Sequence, residues 1–357
     1  MTTRPEKSVQ KLLISSTAHF VGEFAAKNFS LDHAWPRLHS PRATRRLAAG
    51  PHARTTLVAI ITTLPSEEPE FIIPNYDHLG DLVCDLMSLL FGKRFDNHGP
   101  IEQSGYYGVP DLHAFETACD PALPQNAARP RVDFEIPLKL EQVGRLAPLL
   151  FSEPTDATSA FRLACKFYRQ ALITAEDDVE IAYLHLITAG EILSGLVDLK
   201  AEALVDAATR ATLARIAAEH PDGARTARVI RSRLTSIRRR FVAAFDTLTA
   251  DDFFRRSETT RFGRLHRAGY LKALGAAYDL RSKYLHTGRG FGGWLAPRGE
   301  GNEERMMGRP VVPDASFANT LANAPTLIGL ERIVRYGLLR RAEGFGVDLS
   351  PSPPSEA

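Results

Sequence analysis

The sequence predicts an α+β fold, in which a mixed α/β N-terminal domain precedes an all-α helical bundle. Short apolar runs of strand type surround one amphipathic helix before residue 152. From residue 153 onward, apolar residues recur at helical spacing instead. Residues 152–156 read Ser-Glu-Pro-Thr-Asp, and this polar stretch marks the change. We therefore expect a mixed α/β domain at 1–152, a helical domain at 153–346 and a disordered tail at 347–357.

Two predicted strands, one helix and one loop define the first domain. Residues 55–64 are rich in β-branched side chains, which indicates a buried strand. Residues 132–140 alternate apolar with other residues and contain Pro137, which predicts a strand at a sheet edge or beside a bulge. Between these two strands, leucines and valine at helical spacing predict a helix over 78–91. Residues 117–131 contain three prolines and are expected to form a loop.

In the second domain, helices are predicted over 160–175 and 179–199. Residues 296–313 are polar and rich in glycine, proline and charge, which favours a mobile loop. Proline and serine dominate the residues after 349, and such a composition cannot build a packed core.

Composition narrows the class of protein. The 357 residues are 44% hydrophobic, and three widely separated cysteines have neither zinc-site nor disulfide-framework spacing. No signal-peptide core or run of about 20 apolar residues is present. We expect a cytoplasmic protein without membrane association, cofactor or metal. The sequence lacks the Gly-x-Ser-x-Gly motif of serine hydrolases, the His-Glu-x-x-His motif of zinc proteases and the Walker loop of nucleotide-binding proteins.

Positive charge is concentrated in one segment. Residues 210–267 contain 14 arginines and 6 acids, a surplus of 14 − 6 = +8, so the rest of the chain carries 2 − 8 = −6. Such a surplus attracts a phosphate backbone. The candidate RNA-binding residues in it are Arg231, Arg238, Arg239 and Arg240. A solvated helix face explains a charge run equally well.

The most informative stretch places Arg281 five residues before His286. Arginine binds phosphate through a forked contact, and histidine transfers protons near neutral pH, so the pair suits phosphodiester cleavage without a metal. Gly288 is expected to cap the helix C-terminus, where the helix dipole favours a protonated His286. The same interval occurs at 215–220 and 261–266, so the spacing alone is not diagnostic.

Geometry leaves the pair open to three interpretations. Five residues place the two side chains about 140° apart around an ideal helix. Arg281 can curl around the helix, the helix can end near Leu285 and release His286, or the pair can face a second copy of the chain.

Residues 278–288 read Tyr-Asp-Leu-Arg-Ser-Lys-Tyr-Leu-His-Thr-Gly, which resembles the signature of the HEPN superfamily and particularly its Apea-like branch. That branch has Tyr-x-x-Arg-Ser-Lys-x-x-His-Gly, so Thr287 is an insertion here. Residues 182–193, which contain Glu191, resemble an earlier family helix, and residues 330–339 resemble the closing helix. The resemblance covers about residues 155–345, and only its arginine-histidine segment is specific.

The resemblance implies a homodimer in which two arginine-histidine motifs form one composite cleft. It also implies a metal-independent endoribonuclease, often a conditional toxin or antiphage effector. Arg281 then holds the scissile phosphate and His286 transfers protons, while the 2'-hydroxyl of RNA attacks and leaves a 2',3'-cyclic phosphate. Glu191, Ser282 and Tyr278 are supporting candidates. Many active members have Asn, Asp or His where this chain has Ser282.

Alternatives remain open. A non-catalytic HEPN module that binds RNA or a nucleotide, or that serves as a dimerising adaptor, fits the same residues. Lys283 and Arg289 are further candidate RNA contacts, and residues 288–294 are either a phosphate cradle with a stacking Phe291 or Trp294, or a flexible loop. The first domain is expected to sense a trigger ligand or regulator.

Overall fold

The computed structural model describes residues 8–34, 54–63, 76–116, 118–127, 131, 138–200, 204–205, 207–234, 237–257, 259, 262–297 and 302–349, without the side chains of 231–234. Helix accounts for 55% and strand for 15% of the structure. A sheet lies in the N-terminal part and helices form the C-terminal part, so the α+β prediction is confirmed.

The described strands pair mainly into one antiparallel sheet. They are β1 (Ser8–Ser16), β2 (Phe20–Val21), β3 (Phe24–Ala26), β4 (Phe29–His33), β5 (Thr55–Thr63), β6 (Phe95–Gln103), β7 (Tyr106–Tyr107) and β8 (Leu138–Lys139). The sheet order is β3-β4-β5-β1-β6-β7, with β2 and β8 paired separately in parallel. Leu12 of β1 lies opposite Ala59 of β5, and both are fully buried.

Strand β5 confirms the strand predicted over 55–64. The strand predicted over 132–140 is seen as β8 only, since residues 132–137, including Pro137, lie outside the described part of the chain. Strand β6 pairs with β1 through an irregular register near Leu12 and Pro100. A proline has no N–H to donate to the ladder, which accounts for the irregularity.

The α-helices in the described part of the chain are as follows: α1 (Asp77–Phe91), α2 (Ala147–Leu150), α3 (Asp156–Thr174), α4 (Val179–Gly195), α5 (Ala207–Glu219), α6 (Gly223–Leu234), α7 (Ile237–Leu248), α8 (Asp251–Arg255), α9 (Arg267–Thr287), α10 (Gly292–Leu295), α11 (Ala315–Asn323) and α12 (Leu327–Glu343). Short 3₁₀ turns occupy His113–Phe115 and Leu140–Leu146. None of the helices in these ranges is both long and apolar enough to cross a membrane.

Local sequence explains where several helices begin and end. Helix α1 matches the helix predicted over 78–91 and ends at Gly92, whose φ of 61° is the left-handed C-cap conformation. Thr155 and Thr158 form a reciprocal capping box at the start of α3. Asp178 accepts hydrogen bonds from the N–H groups of Glu180 and Ile181 and so begins α4. Helix α4 ends at Gly195, four residues before the predicted end.

One hydrophobic core runs from the sheet into the helices. Leu12 and Phe95 of the sheet belong to the same buried cluster as Tyr183 of α4 and Ile333 of α12. Helix α1 lies between the sheet and α3. The predicted boundary near residue 152 is therefore a change of secondary structure within one core, and the division into domains at 1–152 and 153–346 stays a prediction.

Buried ionic groups bridge the two parts. Arg131 makes two hydrogen bonds to Glu331, of 3.0 and 2.6 Å, and Tyr168 donates to the same carboxylate at 2.5 Å. Arg335 of α12 donates to the carbonyls of Leu89 and Leu90 at the end of α1. These contacts satisfy buried polar groups and fix Arg131 and the end of α1 against the helices of the C-terminal part.

The structure corrects part of the predictions for two irregular segments, residues 296–313 and residues 347–357. Within the segment expected to be a mobile loop, Glu304 is fully buried, accepts from Arg332 at 2.9 Å and accepts from the N–H of Leu265. Val347 is buried in the core, inside the segment 347–357 that was predicted to be disordered. Residues 350–357 lie outside the described part.

Candidate functional site

Helix α9 carries the arginine-histidine motif and continues through both residues. It ends at Gly288, which has a left-handed φ of 63° and whose N–H donates to the carbonyl of Tyr284. The predicted glycine C-cap is confirmed, and His286 lies in the last turn. The interpretation in which the helix ends near Leu285 is wrong, because helical geometry persists to Thr287. Arg281 and His286 therefore stay about 140° apart around α9.

Arg281 is held by the neighbouring helix α4. Its Nη2 donates to Oε2 of Glu191 at 3.3 Å, and Tyr278 donates its hydroxyl hydrogen to Oε1 of the same carboxylate at 2.8 Å. The side chain of Arg281 is 27% exposed and that of Glu191 is 18% exposed. The guanidinium is thus positioned but still reachable from solvent. The structure brings together three of the predicted residues: Arg281, Glu191 and Tyr278.

Tyr278 serves both the core and the site. Its ring packs 5.7 Å from the ring of Phe241 on α7, while the guanidinium carbon of Arg281 lies 5.8 Å from its centre. Burial, and then the hydrogen bond to the carboxylate of Glu191, raise the pKa of Tyr278 to about 12. The hydroxyl is therefore protonated near neutral pH and remains a donor to Glu191.

His286 lies apart from this group. Its side chain is exposed and makes no hydrogen bond or ion pair with any described residue. Ser282 and Lys283 are half-buried on α9, and their side chains likewise lack such bonds within the described ranges. An exposed, unbonded imidazole can exchange protons with a bound substrate.

Two of the predicted RNA-binding arginines are paired with acids. Arg238 of α7 binds Asp279 of α9 through both of its carboxylate oxygens, at 2.7 and 2.9 Å. Arg289 donates to Asp314 at 2.7 Å and lies 4.0 Å from the ring centre of Phe317. Both arginines are thereby committed to intramolecular contacts.

The other predicted basic residues differ in exposure. Arg239 is half-buried and Arg240 is exposed, both on α7. Arg231 belongs to α6, but its side chain lies outside the description.

The glycine-rich loop 288–294 is not an open phosphate cradle. Glu180 accepts hydrogen bonds from the N–H groups of Phe291 and Gly292, the latter at 2.6 Å. Phe291 is buried between the rings of Tyr183 and Tyr284, at 5.3 and 5.7 Å. Two backbone donors of this segment and the ring of Phe291 are therefore already occupied, and the suggestion that Phe291 stacks on a base is wrong.

A cavity lies where the sheet meets the helices. Its volume is about 940 Å³. It is lined by residues of β6, by residues within 111–114 and 118–123, by the turn between α3 and α4, and by Ala296 and Pro297. His98 lines it, with Nδ1 bonded to the carbonyl of Asp111 and Nε2 to the hydroxyl of Ser15. Burial lowers the pKa of His98, so its ring is neutral near pH 7. Tyr106 and Tyr107 are exposed at the sheet edge.

Sequence reasoning missed Asp279, Asp314 and Glu180. Asp279 lies inside the motif itself, two residues before Arg281, and is half-buried on α9. Glu180 and Asp314 find their partners 111 and 25 residues away along the chain. No short-range pattern encodes such a partner.

Comparison with protein-family models, curated proteins and solved structures finds no match. The resemblance to HEPN therefore depends on the sequence of residues 278–288 and, less specifically, of residues 182–193 and 330–339. Across the described ranges, no group of three or more His, Cys, Asp or Glu side chains is arranged to hold a metal ion.

Proposed function

We propose that this protein is a metal-independent endoribonuclease of HEPN type. The observation that carries the proposal is the contrast on α9 between a positioned Arg281 and a free His286. Glu191 holds the guanidinium while leaving it 27% exposed, and His286 is exposed and unbonded among the described residues. One group is suited to bind a phosphate and the other to move protons.

In the proposed reaction, Arg281 donates to the non-bridging oxygens of the scissile phosphate and stabilises the charge that develops there. The 2'-oxygen of the ribose attacks phosphorus as its proton is removed, and the bond from phosphorus to the 5'-oxygen breaks. The 5'-oxygen receives a proton, which gives a 5'-hydroxyl and a 2',3'-cyclic phosphate. His286 supplies one of these proton transfers. DNA lacks the 2'-hydroxyl and is not cut.

A second copy of the chain completes the cleft. Arg281 and His286 are about 140° apart around α9, so one helix does not direct both at one phosphate. Leu271 and Leu285 of α9 are 47% and 54% exposed, and their spacing of 14 residues places them within about 40° of each other around the helix. These apolar side chains support a homodimer that pairs α9 helices.

The first test is cleavage of total RNA in EDTA by the full chain, with product ends mapped. We expect 2',3'-cyclic phosphate ends from the wild type, and none from the His286→Ala or Arg281→Ala variant. His220→Ala is the matched control, because it removes an exposed histidine from the same interval after Arg215. Equal cleavage by all four proteins would remove the motif from the mechanism.

Mixing tests the composite cleft. If Arg281 of one copy acts with His286 of the other, an equal mixture of the Arg281→Ala and His286→Ala proteins partly regains cleavage. Two inactive proteins that stay inactive together, although they form mixed dimers, would contradict a shared site.

A conditional toxin or antiphage effector is the proposed biological role, with the first domain sensing a trigger ligand or regulator. The cavity of about 940 Å³ between sheet and helices offers such a ligand a place to bind. Expression of the wild type is expected to slow growth, and Arg281→Ala or His286→Ala to relieve it. Equal toxicity of the three proteins would contradict this role.

A second candidate function is a non-catalytic HEPN module that binds RNA or a nucleotide or pairs with another chain. The ion pair between Arg281 and Glu191 favours it, since the arginine already has an acidic partner. RNA binding by wild type and His286→Ala alike, without cleavage and without growth arrest, would establish this candidate over the nuclease.

A further inference from the structure

Helices α5 and α6 form a hairpin with a small core of its own. Val205, Leu213 and Ala227 are buried in it, with Ile216 and Ile230 packed against them. The main cluster of the described residues contains none of these side chains. Helix α6 begins at Gly223, where a Cβ would lie 2.1 Å from the carbonyl oxygen of Ile216, so the two helices meet too closely there for any larger residue.

The outer surface of this hairpin carries arginines without acidic partners. Arg215, Arg225 and Arg228 are exposed, and none of them makes a hydrogen bond or ion pair with a described residue. In contrast, Arg238, Arg281 and Arg289 are each paired with an acid. Residues 207–234 contain six arginines against Glu219 and Asp222, which gives 6 − 2 = +4.

Along the chain, the hairpin lies between two helices that contact the candidate site. Helix α4 ends at Gly195, four residues after Glu191. Helix α7 begins at Ile237, and its Arg238 binds Asp279, which lies two residues before Arg281. The helices that precede and follow the hairpin in the chain, α4 and α7, therefore each make an ion pair with α9 close to Arg281.

We propose that the α5–α6 hairpin is a docking arm for the phosphate backbone of RNA and delivers the strand to Arg281. The choice of RNA rests on the proposed function, while the choice of a polyanion rests on the unpaired arginines. Arginine binds phosphate by forked hydrogen bonds, and binding releases counterions, so the contact is strongly salt-dependent. The contacts read the backbone and not the bases, so the arm is expected to accept many sequences.

The test measures RNA binding by the full chain carrying His286→Ala, which separates binding from cleavage. In this background, Arg215→Gln, Arg225→Gln and Arg228→Gln are combined, and affinity for a single-stranded RNA is measured over a salt series. Removing up to three phosphate contacts on a single strand lowers the slope of log Kd against log salt by up to about 2. We expect an affinity loss of about tenfold or more at low salt.

Two control proteins isolate the arm. The triple Arg→Lys variant keeps the charge and should retain most of the salt slope. A charge-matched variant combines Lys27→Gln, Arg255→Gln and Arg309→Gln. These three cations are exposed, lie outside the hairpin and make no ion pair with a described residue. This variant should keep the wild-type slope, and circular dichroism checks that the glutamine hairpin variant remains helical.

The outcomes separate this inference from the nuclease proposal. An unchanged salt slope in the hairpin variant would overturn the docking arm even if the wild type cuts RNA. Loss of slope only in the hairpin variant supports the arm even if no protein cuts RNA. An equal loss in the charge-matched variant would attribute binding to net charge and would also overturn the arm.

Discussion

Glu191 is the residue on which the site depends. An acid on a largely apolar helix needs partners, and Glu191 has two: the hydroxyl of Tyr278 at 2.8 Å and the guanidinium of Arg281 at 3.3 Å. Each partner uses a different carboxylate oxygen. Arg281 is therefore held in place, which in the proposed reaction reduces the entropy lost when it binds a phosphate.

Replacing Glu191 by glutamine is expected to lower the pKa of Tyr278. The pKa of about 12 arises first from burial and then from the hydrogen bond and charge of Glu191, so Glu191→Gln should bring it down while leaving it above the ordinary value near 10. Titration of carbon-13-labelled tyrosine by NMR measures it. Tyr336, whose pKa is also raised to about 12 by burial and Asp252, is the internal control and should not change.

The same substitution changes alkaline stability. Because the folded-state pKa of Tyr278 is raised, its contribution to the free energy of unfolding is complete below about pH 10 and is lost as pH rises through about 12. The glutamine variant should therefore lose less stability over this interval than the wild type. An identical alkaline profile and an unmoved Tyr278 pKa would contradict the contact with Glu191.

At the level of helices, close approach between α4 and α7 sets the position of the site. A Cβ on Gly190 of α4 would lie 2.5 Å from Phe241 and 2.9 Å from Phe245, both on α7. A glycine is needed there because the two helices meet without room for a side chain. Arg238, on the same helix α7, binds Asp279 of α9. The glycine thus helps to align three helices around Arg281.

Gly190→Ala is expected to be less stable than Gly195→Ala by about 1–3 kcal/mol, the usual cost of an overpacked core. Gly195 is the matched control on the same helix, because nothing lies within 4 Å of its added Cβ. Alanine gains more helix propensity at the interior Gly190 than at Gly195, the last residue of α4, so a lower stability of Gly190→Ala reports the contact with the phenylalanines. Urea unfolding measures it, and equal stability of the two variants would contradict the packing.

Across the whole molecule, the sheet and the helical part share one core and are joined by buried charges. Glu331 of α12 accepts hydrogen bonds from Arg131 and Tyr168, and Arg169 of α3 donates to Asp85 of α1 at 2.5 Å. Such pairs are costly to break from one side, because the remaining charge stays buried without a partner. We therefore expect the two parts to unfold together.

Arg131→Ala is expected to lower the free energy of unfolding by about 3–5 kcal/mol, since it leaves Glu331 buried without its guanidinium partner. Glu343→Ala is the control, because it breaks an exposed ion pair with Arg340. The side chains of Arg340 and Glu343 are 45% and 38% exposed, so this substitution should lower the free energy of unfolding by less than about 1 kcal/mol. Urea unfolding followed by fluorescence and circular dichroism measures both. Two separate transitions in the wild type would show that the parts unfold independently.

The sequence by itself determined the features that depend on near neighbours. β-Branched composition predicted β5, helical periodicity predicted α1, α3 and most of α4, and Gly288 predicted the end of α9. These succeed because strand period, helix period and capping act over a few residues. The same reasoning identified Arg281, Glu191 and Tyr278 as candidates but left the partner of Glu191 open.

Only the tertiary structure decided which charged groups meet. It paired Arg238 with Asp279 and Arg289 with Asp314, and left Arg215, Arg225 and Arg228 of one basic segment without acidic partners among the described residues. It also placed the carboxylate of Glu180 where it accepts a hydrogen bond from the N–H of Gly292 in the glycine-rich segment. The physical reason is that a partner is chosen by which helices pack closely, and such packing joins residues from 25 to more than 100 positions apart.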